Sequence, residues 1–577
     1  MAEGPRRRLR LVIALLVGLV ILIVVQLGQL QIIDHAFYQE WADEQQYQSI
    51  VMAEAPRGVI RDRNGHLLAG NAVVYSIEAA PPYVLDAGAV AAELGAILHL
   101  PAAQIQRSLE ERDENDQLLW WVRIAYPVTK EVGEQIADLR LPGITVWPHW
   151  TRAYPEGRLA SHTLGFCTVE LTGFYGVEGF QDDLLRPEPA RWEGPVDSDS
   201  EQIPWAVAPI VLPEPGTDLV LTLDRTIQAL AEEELARSVY EFQAEGGTII
   251  VMDPHTFEIL ALASLPNYDP GRYVEFYGAG QLPFEDPAVS MQYEPGSVFK
   301  IVTVAAALDM GLVTPESTYY DDEFEVGGQE ILNASRQHYG WQSVTDILVK
   351  SLNVGAAHLS TEMGAGEFYE YVYRFGFGRI TEVGLAGEVA GQVWTPSDFE
   401  HWHDSNLGTN AFGQGLAVTP LQMAAAVATV ANDGTRLRPH IVLQRVEPDG
   451  TVLNHQPVIE AEVISSHTAR QLQEMLVQVV EEGVPNAQVP GYRVAGKTGT
   501  AQIPIPGGYD QEGTIASFGG FGPVPDPRFV ILVKLDRPGT SDWAADTAAA
   551  SFSRLAERLF VVMGVPPETA TIAEAVR

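Results

Sequence analysis

Leu11 to Ile33 forms a run of 23 residues without a charge. About 20 apolar residues cross a bilayer as a helix, so this run predicts a membrane-spanning helix. Arg6, Arg7, Arg8 and Arg10 precede it against Glu3 alone. Basic residues stay on the cytoplasmic side, which places residues 1–10 inside and everything from Asp34 onward outside. A cleaved signal peptide is the competing reading, and no small-x-small cleavage pattern closely follows Val25.

Beyond the apolar run, Phe37 to Gln48 is largely polar and reads as a helical stalk. Asn64-Gly65, between two short strand-like runs, predicts a tight hairpin turn. Val90 to Leu98 and Lys130 to Leu139 show helical spacing of apolar residues. Pro187 to Gly216 is rich in Pro, Glu, Asp and Ser and reads as an irregular linker. After it come strand patterns at Asp218 to Asp224, Gly246 to Asp253 and Phe257 to Ser264, with a helix over Arg225 to Tyr240. Helices are expected at Ser297 to Met310, Val344 to Met363, Thr419 to Ala431 and Ser466 to Glu481. Strands return at Tyr492 to Gly496, Ala516 to Gly522 and Arg528 to Leu535, and Asp546 to Met563 closes the pattern as a helix. Strands, a helical middle and strands again predict an α+β unit with helices packed on an antiparallel sheet.

Composition narrows the chemistry. A formal net charge of -40 excludes nucleic-acid binding, which needs clustered Lys and Arg. The single cysteine, Cys167, excludes an intrachain disulfide framework and a Cys-based zinc cluster, and is expected to act as a small buried hydrophobe. His401-Trp402-His403-Asp404 lacks a clear third ligand, so no metal and no cofactor is expected. Trp120, Trp121 and Trp147 to Trp150 are expected in a core or an interface.

Only five lysines occur, at 130, 300, 350, 497 and 534. Their scarcity makes the settings of two of them informative. Ser297 and Lys300 are three apart and share a face of a helix. A neutral lysine amine can take the proton of a serine nucleophile when burial or a neighbouring cation depresses its pKa, and Lys497 is the candidate neighbour. Glu294-Pro295-Gly296 suits a turn that delivers Ser297 to a helix N-terminus, where backbone N–H groups face a developing oxyanion. Ser351 and Asn353 share a side if the backbone is extended, and offer a proton-relaying hydroxyl and a substrate-binding amide. Thr498 and Thr500 share one strand face with Lys497 on the other, and Gly499 permits close backbone approach. Those features suit an edge strand that pairs with an extended peptide and binds its carboxylate.

These segments together resemble the class B penicillin-binding proteins, the monofunctional peptidoglycan D,D-transpeptidases. Tyr293 to Lys300, Phe412-Gly413-Gln414-Gly415 with Thr419-Pro420-Leu421-Gln422, and Ala495 to Gln502 all look like that family. The Arg57 to Gly65 hairpin and Arg152-Ala153-Tyr154-Pro155-Glu156-Gly157 resemble its non-catalytic pedestal. The resemblance implies an elongated α/β pedestal at 34–190, a linker at 191–216 and a transpeptidase domain of the serine β-lactamase-like fold at 217–577. It implies that Ser297 forms an acyl-enzyme with a D-Ala-D-Ala stem peptide, with Lys300 as base, Ser351 as relay and Asn353 as substrate anchor. Lys497, Thr498, Gly499 and Thr500 form the carboxylate end of the groove, and the backbone N–H groups of Ser297 and Thr500 form the oxyanion hole. A neighbouring stem's amine then closes the cross-link, and β-lactams acylate the same serine. Lys300 must be neutral and Lys497 charged, so separated pKa values are expected.

Leu352 departs from a position that is often polar in the family, which affects the groove lining more than the mechanism. No glycosyltransferase module precedes Ser297, which excludes the bifunctional arrangement. The wording around Ser297 is closer to the septal, cell-division subgroup than to the elongation subgroup. A polytopic glycan polymerase and other division proteins in the same membrane are the implied partners. A membrane-bound β-lactamase or antibiotic sensor, and a catalytically silent division scaffold, are the rival functions.

Overall fold

Adjacent residues of a strand face opposite sides of its sheet. In the strand Gly508–Gly522 a side chain at Gly519 would meet Val427, whereas one at Gly520 would meet Phe552. Those contacts define three layers. Val427 belongs to helix Pro420–Ala431, buried along its whole length on one face. Phe552 belongs to helix Ala548–Val562, which packs on the other face beside Arg225–Phe242 through Arg554 to Glu234 (2.6 Å) and Ser551 to Ser238 (2.7 Å). The sheet between them runs Ile259–Leu265, Gly246–Met252, Phe529–Asp536, Gly508–Gly522, Ala495–Ile505, and each neighbouring pair is antiparallel. With both faces covered, Gly246–Met252 is buried at every position. The expected α+β arrangement is present, and Ala495–Ile505 is an edge strand.

This computed structural model describes residues 4–29, 31, 47–195, 210–277 and 284–567. They divide into two compact units: residues up to Pro56 with Pro187–Pro215, and Arg57–Arg186 with Gly216 onward. In the first, Ala190–Pro195 pairs with both Tyr47–Ala53 and Ile210–Val211. The stretch expected as an irregular linker therefore contributes two strands, and the turn-rich composition that marked it belongs mainly to 196–209, outside the described residues. The expected stalk also falls outside them, except that Tyr47 and Gln48 are strand rather than helix.

In the second unit a seven-stranded sheet crosses the boundary expected at 191–216. Asp218–Leu221 pairs in parallel with Ile60–Arg61 and antiparallel with Val442–Val446. Ile60–Arg61 continues into Leu67–Ala79, which pairs with Val122–Val128 and Ile144–Ala153. Gly65, at the predicted hairpin, has a positive φ of 88°. A separate small core around Ile77, Leu94, Ile105, Val122 and Ile136 holds the outer end of this sheet to helices Ala87–Leu98, Ala102–Leu109 and Lys130–Asp138.

A buried ion cluster ties the chain entry to the rest of this sheet. The Glu178 carboxylate accepts from Arg57 Nε (2.8 Å) and from Arg152 Nε (2.6 Å), and all three side chains are out of solvent. Arg57 also donates to Asp182 (2.6 Å) and to the Leu171 carbonyl (2.9 Å), while Arg152 reaches the Gly58 carbonyl (2.7 Å). Cys167 lies near this cluster, and burial pushes its thiol up to about 12, in keeping with an inert buried hydrophobe. Trp120, Trp121 and Trp147, expected in a core or an interface, are each more than half exposed. Trp147 shares strand Ile144–Ala153 with Ile144 and Val146 but alternates to the opposite face, so their core does not claim it.

The N-terminal helix runs Gly4–Gly28, and its apolar side chains from Val12 to Leu27 are exposed. Among the described residues no helix is long and apolar enough to cross a membrane. The end of the expected Leu11–Ile33 span lies largely outside those residues.

Removing one member of a buried ion cluster leaves its partners charged and unpaired, at a cost of about 3–5 kcal/mol. Glu178→Ala is therefore expected to lower the chemical-denaturation midpoint by a corresponding amount, with Glu178→Gln losing less. An unchanged midpoint in Glu178→Ala would show that the cluster does not stabilise the sheet.

Candidate active site

Ser297 lies in a 3₁₀ turn, Gly296–Phe299, that feeds helix Lys300–Asp309, so the continuous helix expected from Ser297 begins one turn later. The turn is gripped by two other backbones. Gly296 N donates to Gly413 O (3.1 Å), and a Cβ on Gly413 would lie 2.2 Å from Gly296 O. A Cβ on Gly499 would lie 2.5 Å from Pro295 O. The two glycine-bearing segments singled out in the sequence thus close on the nucleophile turn because they lack side chains there. Glu294 accepts from Gly415 N (3.0 Å) and Tyr509 Oη (3.1 Å), and its burial pushes the carboxyl up to about 7.

Ser351 is placed by a helix ending. The helix expected over Val344 to Met363 is two helices, Val344–Val349 and Asn353–Arg374, because the chain reverses at 350–352; the second is interrupted at Gly364 (φ 78°), directly after the expected end. Ser351 N donates to Leu348 O (3.3 Å) and Leu352 N to Ile347 O (3.0 Å). That bond pair is a Schellman ending, whose left-handed position usually takes glycine. Here Ser351 occupies it, with φ of 57°, so the local extension expected for Ser351 is replaced by a strained turn. Leu352 is 1% exposed and serves as the apolar residue that follows such an ending.

The turn aims one hydroxyl at two amines. Lys300 Nζ contacts Ser351 O (2.6 Å), Asn353 Oδ1 (2.8 Å) and Ser351 Oγ (3.3 Å). Lys497 Nζ contacts Ser351 Oγ (3.0 Å), Thr498 O (3.2 Å) and Thr498 Oγ1 (3.2 Å). An ammonium has three N–H donors, and all three Lys497 contacts can accept. A neutral Lys300 donates twice, to Ser351 O and Asn353 Oδ1, and accepts the Ser351 hydroxyl proton. Burial, and then the nearby Lys497, hold Lys300 well below the ordinary lysine range. Burial brings Lys497 down to about 7. Both lysines are lowered, and Lys300 carries the additional repulsion.

A second layer, invisible in the motifs, fixes Asn353. Leu352 gives helix Asn353–Arg374 no side-chain cap; instead Asn333 Oδ1 accepts from Asn353 N (2.8 Å) and Val354 N (3.2 Å). Asn333 Nδ2 donates to the buried Asp321 carboxylate (2.9 Å), which also accepts from Tyr339 N (2.8 Å). Asn353 Nδ2 donates to Leu332 O (2.9 Å).

A groove of about 650 Å³ opens over these groups, with Ser297, Ser351, Asn353, Thr498 and Thr500 in its lining. Thr498 and Thr500 are partly exposed on one side of the edge strand, and Lys497 and Gly499 are buried on the other, as strand alternation predicts. The Lys497–Thr500 segment lies inside strand Ala495–Ile505 rather than at the end of one. Asn333, Arg336, Tyr339 and Trp543 also line the groove and carried no sequence signal, since their relation to Ser297 is made only by folding. His401 stacks on Trp394 with centroids 4.4 Å apart and contacts Asp398, Trp402 donates to Tyr369 (2.9 Å), and His403 begins helix Asp404–Asn410. No cluster suited to a metal occurs among the described residues.

Comparison with known proteins agrees with this geometry. Residues 247–557 match the family model for the penicillin-binding protein transpeptidase domain, and 52–221 match that for the penicillin-binding protein dimerisation domain. The chain belongs to the penicillin-binding protein transpeptidases. It is 31% identical to stage V sporulation protein D of Bacillus subtilis (strain 168), an alignment covering 97% of this chain and 86% of that protein. It is 29% identical to peptidoglycan D,D-transpeptidase FtsI of Escherichia coli (strain K12), covering 90% and 85%. The crystal structure of penicillin-binding protein 3 from Mycobacterium tuberculosis complexed with aztreonam aligns with a TM-score of 0.69 at 28% identity, covering 90% of this chain and 98% of that one. In this penicillin-binding protein the dimerisation-domain match extends to 221 and so includes Asp218–Leu221, the strand that joins the seven-stranded sheet across the expected boundary.

Loss of the Asn333 side chain frees the N–H groups of Asn353 and Val354, the start of the helix that carries the Asn353 side chain. Misplacement of a site by about 1 Å costs on the order of 100-fold in rate, and Asn333→Ala is expected to slow acylation of the protein by a β-lactam probe at least about tenfold while the fold persists. An unaltered acylation rate in a folded variant would remove Asn333 from site positioning.

Proposed function

We propose that the protein is a membrane-anchored peptidoglycan D,D-transpeptidase that cross-links stem peptides at the division septum. The observation that carries the reading is the convergence of Lys300 and Lys497 on the Ser351 hydroxyl, at 3.3 and 3.0 Å, in the groove that contains Ser297. The relative named peptidoglycan D,D-transpeptidase FtsI supports the reaction class, and the neighbour complexed with aztreonam supports β-lactam reactivity.

In this reading Ser297 Oγ attacks the carbonyl of the penultimate D-alanine and passes its proton to neutral Lys300. The resulting oxyanion lies against the backbone N–H groups of Ser297 and Thr500. As the C–N bond breaks, the proton moves from Lys300 through Ser351 to the departing D-alanine amine. A neighbouring stem's amine then attacks the acyl-enzyme, gives its proton to Lys300, and Ser297 recovers a proton as its ester bond breaks. Asn353 holds the substrate amide, and Thr498 and Thr500 bind the terminal carboxylate with the Lys497 charge behind them, while Gly499 lets the edge strand close on the turn that carries Ser297. No step calls for a metal or cofactor.

Exposed apolar side chains along Val12 to Leu27, preceded by Arg6, Arg7, Arg8 and Arg10, support the anchor, with the catalytic part outside the cell membrane. The septal role rests on the wording of the segment around Ser297, and implies a polytopic glycan polymerase and other division proteins as membrane partners. Depletion producing filaments supports that role, and rounded cells point to elongation.

Full-length protein incubated with labelled penicillin is expected to gain a persistent adduct in intact-mass measurements, absent in Ser297→Ala. Rapid loss of the adduct would favour a β-lactamase or sensor, and no adduct a silent scaffold. Acylation needs Lys300 neutral, so the rate climbs as pH rises through its depressed pKa. It needs Lys497 charged, so kcat/KM, which reports the free enzyme, falls as pH rises through about 7. A rate still climbing above pH 8 would contradict these roles.

A further inference from the structure

The groove contains a cation that the reaction above leaves without a task. Arg336 lies in the loop after strand Gln329–Ile331 and lines the groove with Asn333 and Tyr339, while Thr498, Thr500 and Gln502 line it from the edge strand. Its guanidinium is exposed and makes no ion pair or hydrogen bond among the described residues. The nearby groove cation Lys350 is already committed, to Asp346 at 2.8 Å and Gln342 at 2.6 Å. Arg225, Arg470 and Arg558 are bonded to Glu156, Asp433 and Glu233, while the exposed Arg140, Arg379 and Arg528 also lack an ion pair among the described residues but do not line this groove.

The loop's backbone is also held in a costly shape. Arg336 has φ of 54°, a left-handed conformation that non-glycine residues seldom adopt. Its N–H donates to Asn333 O (2.8 Å), and Asn333 is itself locked to Asp321 and to the start of the Asn353 helix. Such strain persists only where surrounding bonds over-determine it. The same anchor that sets Asn353 therefore sets Arg336.

We propose that Arg336 is a specificity-determining residue that binds a free carboxylate of a stem peptide in the groove. The proposal rests on the transpeptidase reading. A guanidinium presents paired donors that match a carboxylate's two oxygens, which a lysine does not reproduce. The carboxylate belongs either to the acyl donor, upstream of its D-alanine pair, or to the incoming acceptor. Neither is the terminal carboxylate, which Thr498 and Thr500 receive.

The test uses the full-length protein and two synthetic pentapeptides ending in D-alanyl-D-alanine, identical except that upstream carboxylates are free or amidated. The donor arm reads D-alanine release; the acceptor arm reads cross-linking to an amine acceptor whose adjacent carboxylate is free or amidated. The wild type is expected to prefer the free carboxylate by about tenfold in one arm, which identifies the source. Arg336→Gln is expected to abolish that preference without changing the amidated rate or penicillin acylation, and Arg336→Lys to retain part of it. No preference in the wild type, a preference surviving Arg336→Gln, or a parallel loss for acidic, amidated and penicillin reactions overturns the proposal. Absence of penicillin labelling in the wild type removes the transpeptidase reading together with this one; intact labelling without a preference removes this one alone.

Discussion

One hydroxyl, that of Ser351, is shared by two buried amines, and the site is organised by the fact that both cannot be charged cheaply. Two unit charges about 4 Å apart repel by roughly 4 kcal/mol at an effective dielectric of 20, and less as they separate. The contacts divide the charge. Each amine faces three oxygens, but the Ser351 hydroxyl has one proton to give, and Lys300, lowered by burial and by Lys497, is the amine that receives it. A base and a cation can then stand side by side because the fold gives each amine different partners.

That division demands positions that no single element could supply. Ser297 and Lys300 come from a 3₁₀ turn and the helix after it, Ser351 from the reversal between two helices, and Lys497 from the edge strand. Each carries a local cost: two buried lysines, a left-handed serine and a buried carboxyl at Glu294. Burial of Pro420–Ala431 and Gly246–Met252 on every side provides the stiff apolar support that can offset those costs. The edge position of Ala495–Ile505 is equally necessary, since an interior strand would have no unpaired backbone left for a peptide.

The sequence made local relations legible and left the long-range ones hidden. The i, i+3 spacing of Ser297 and Lys300 and the alternation of Thr498 and Thr500 follow from element geometry, so they could be read directly. The break at 350–352 could not, because Ser351 takes a position where glycine would have signalled the helix ending. The pairing of Ile60–Arg61 with Leu219 and Val220 could not be read either, because it joins segments some 160 residues apart in the chain. Asn333 was missed for the same reason: its cap on Asn353 is a tertiary substitute for a local N-cap.

This distribution separates chemistry from recognition across the groove. The edge strand offers main-chain pairing and two hydroxyls, which in the proposed function suit any extended peptide with a terminal carboxylate. The loop bearing Arg336 has no regular backbone partner, so side chains carry what it recognises, and it can vary without disturbing the sheet. Yet it is not independent of catalysis, because Asn333 ties Arg336 to Asn353. A shift of this loop that adapts the groove to another substrate must therefore preserve the Asn333 cap, or the gain in recognition is lost in the placement of Asn353. Selection for new specificity is expected to act on the exposed Ser335, Arg336 and Gln337 while leaving the buried Asn333 and Asp321 in place.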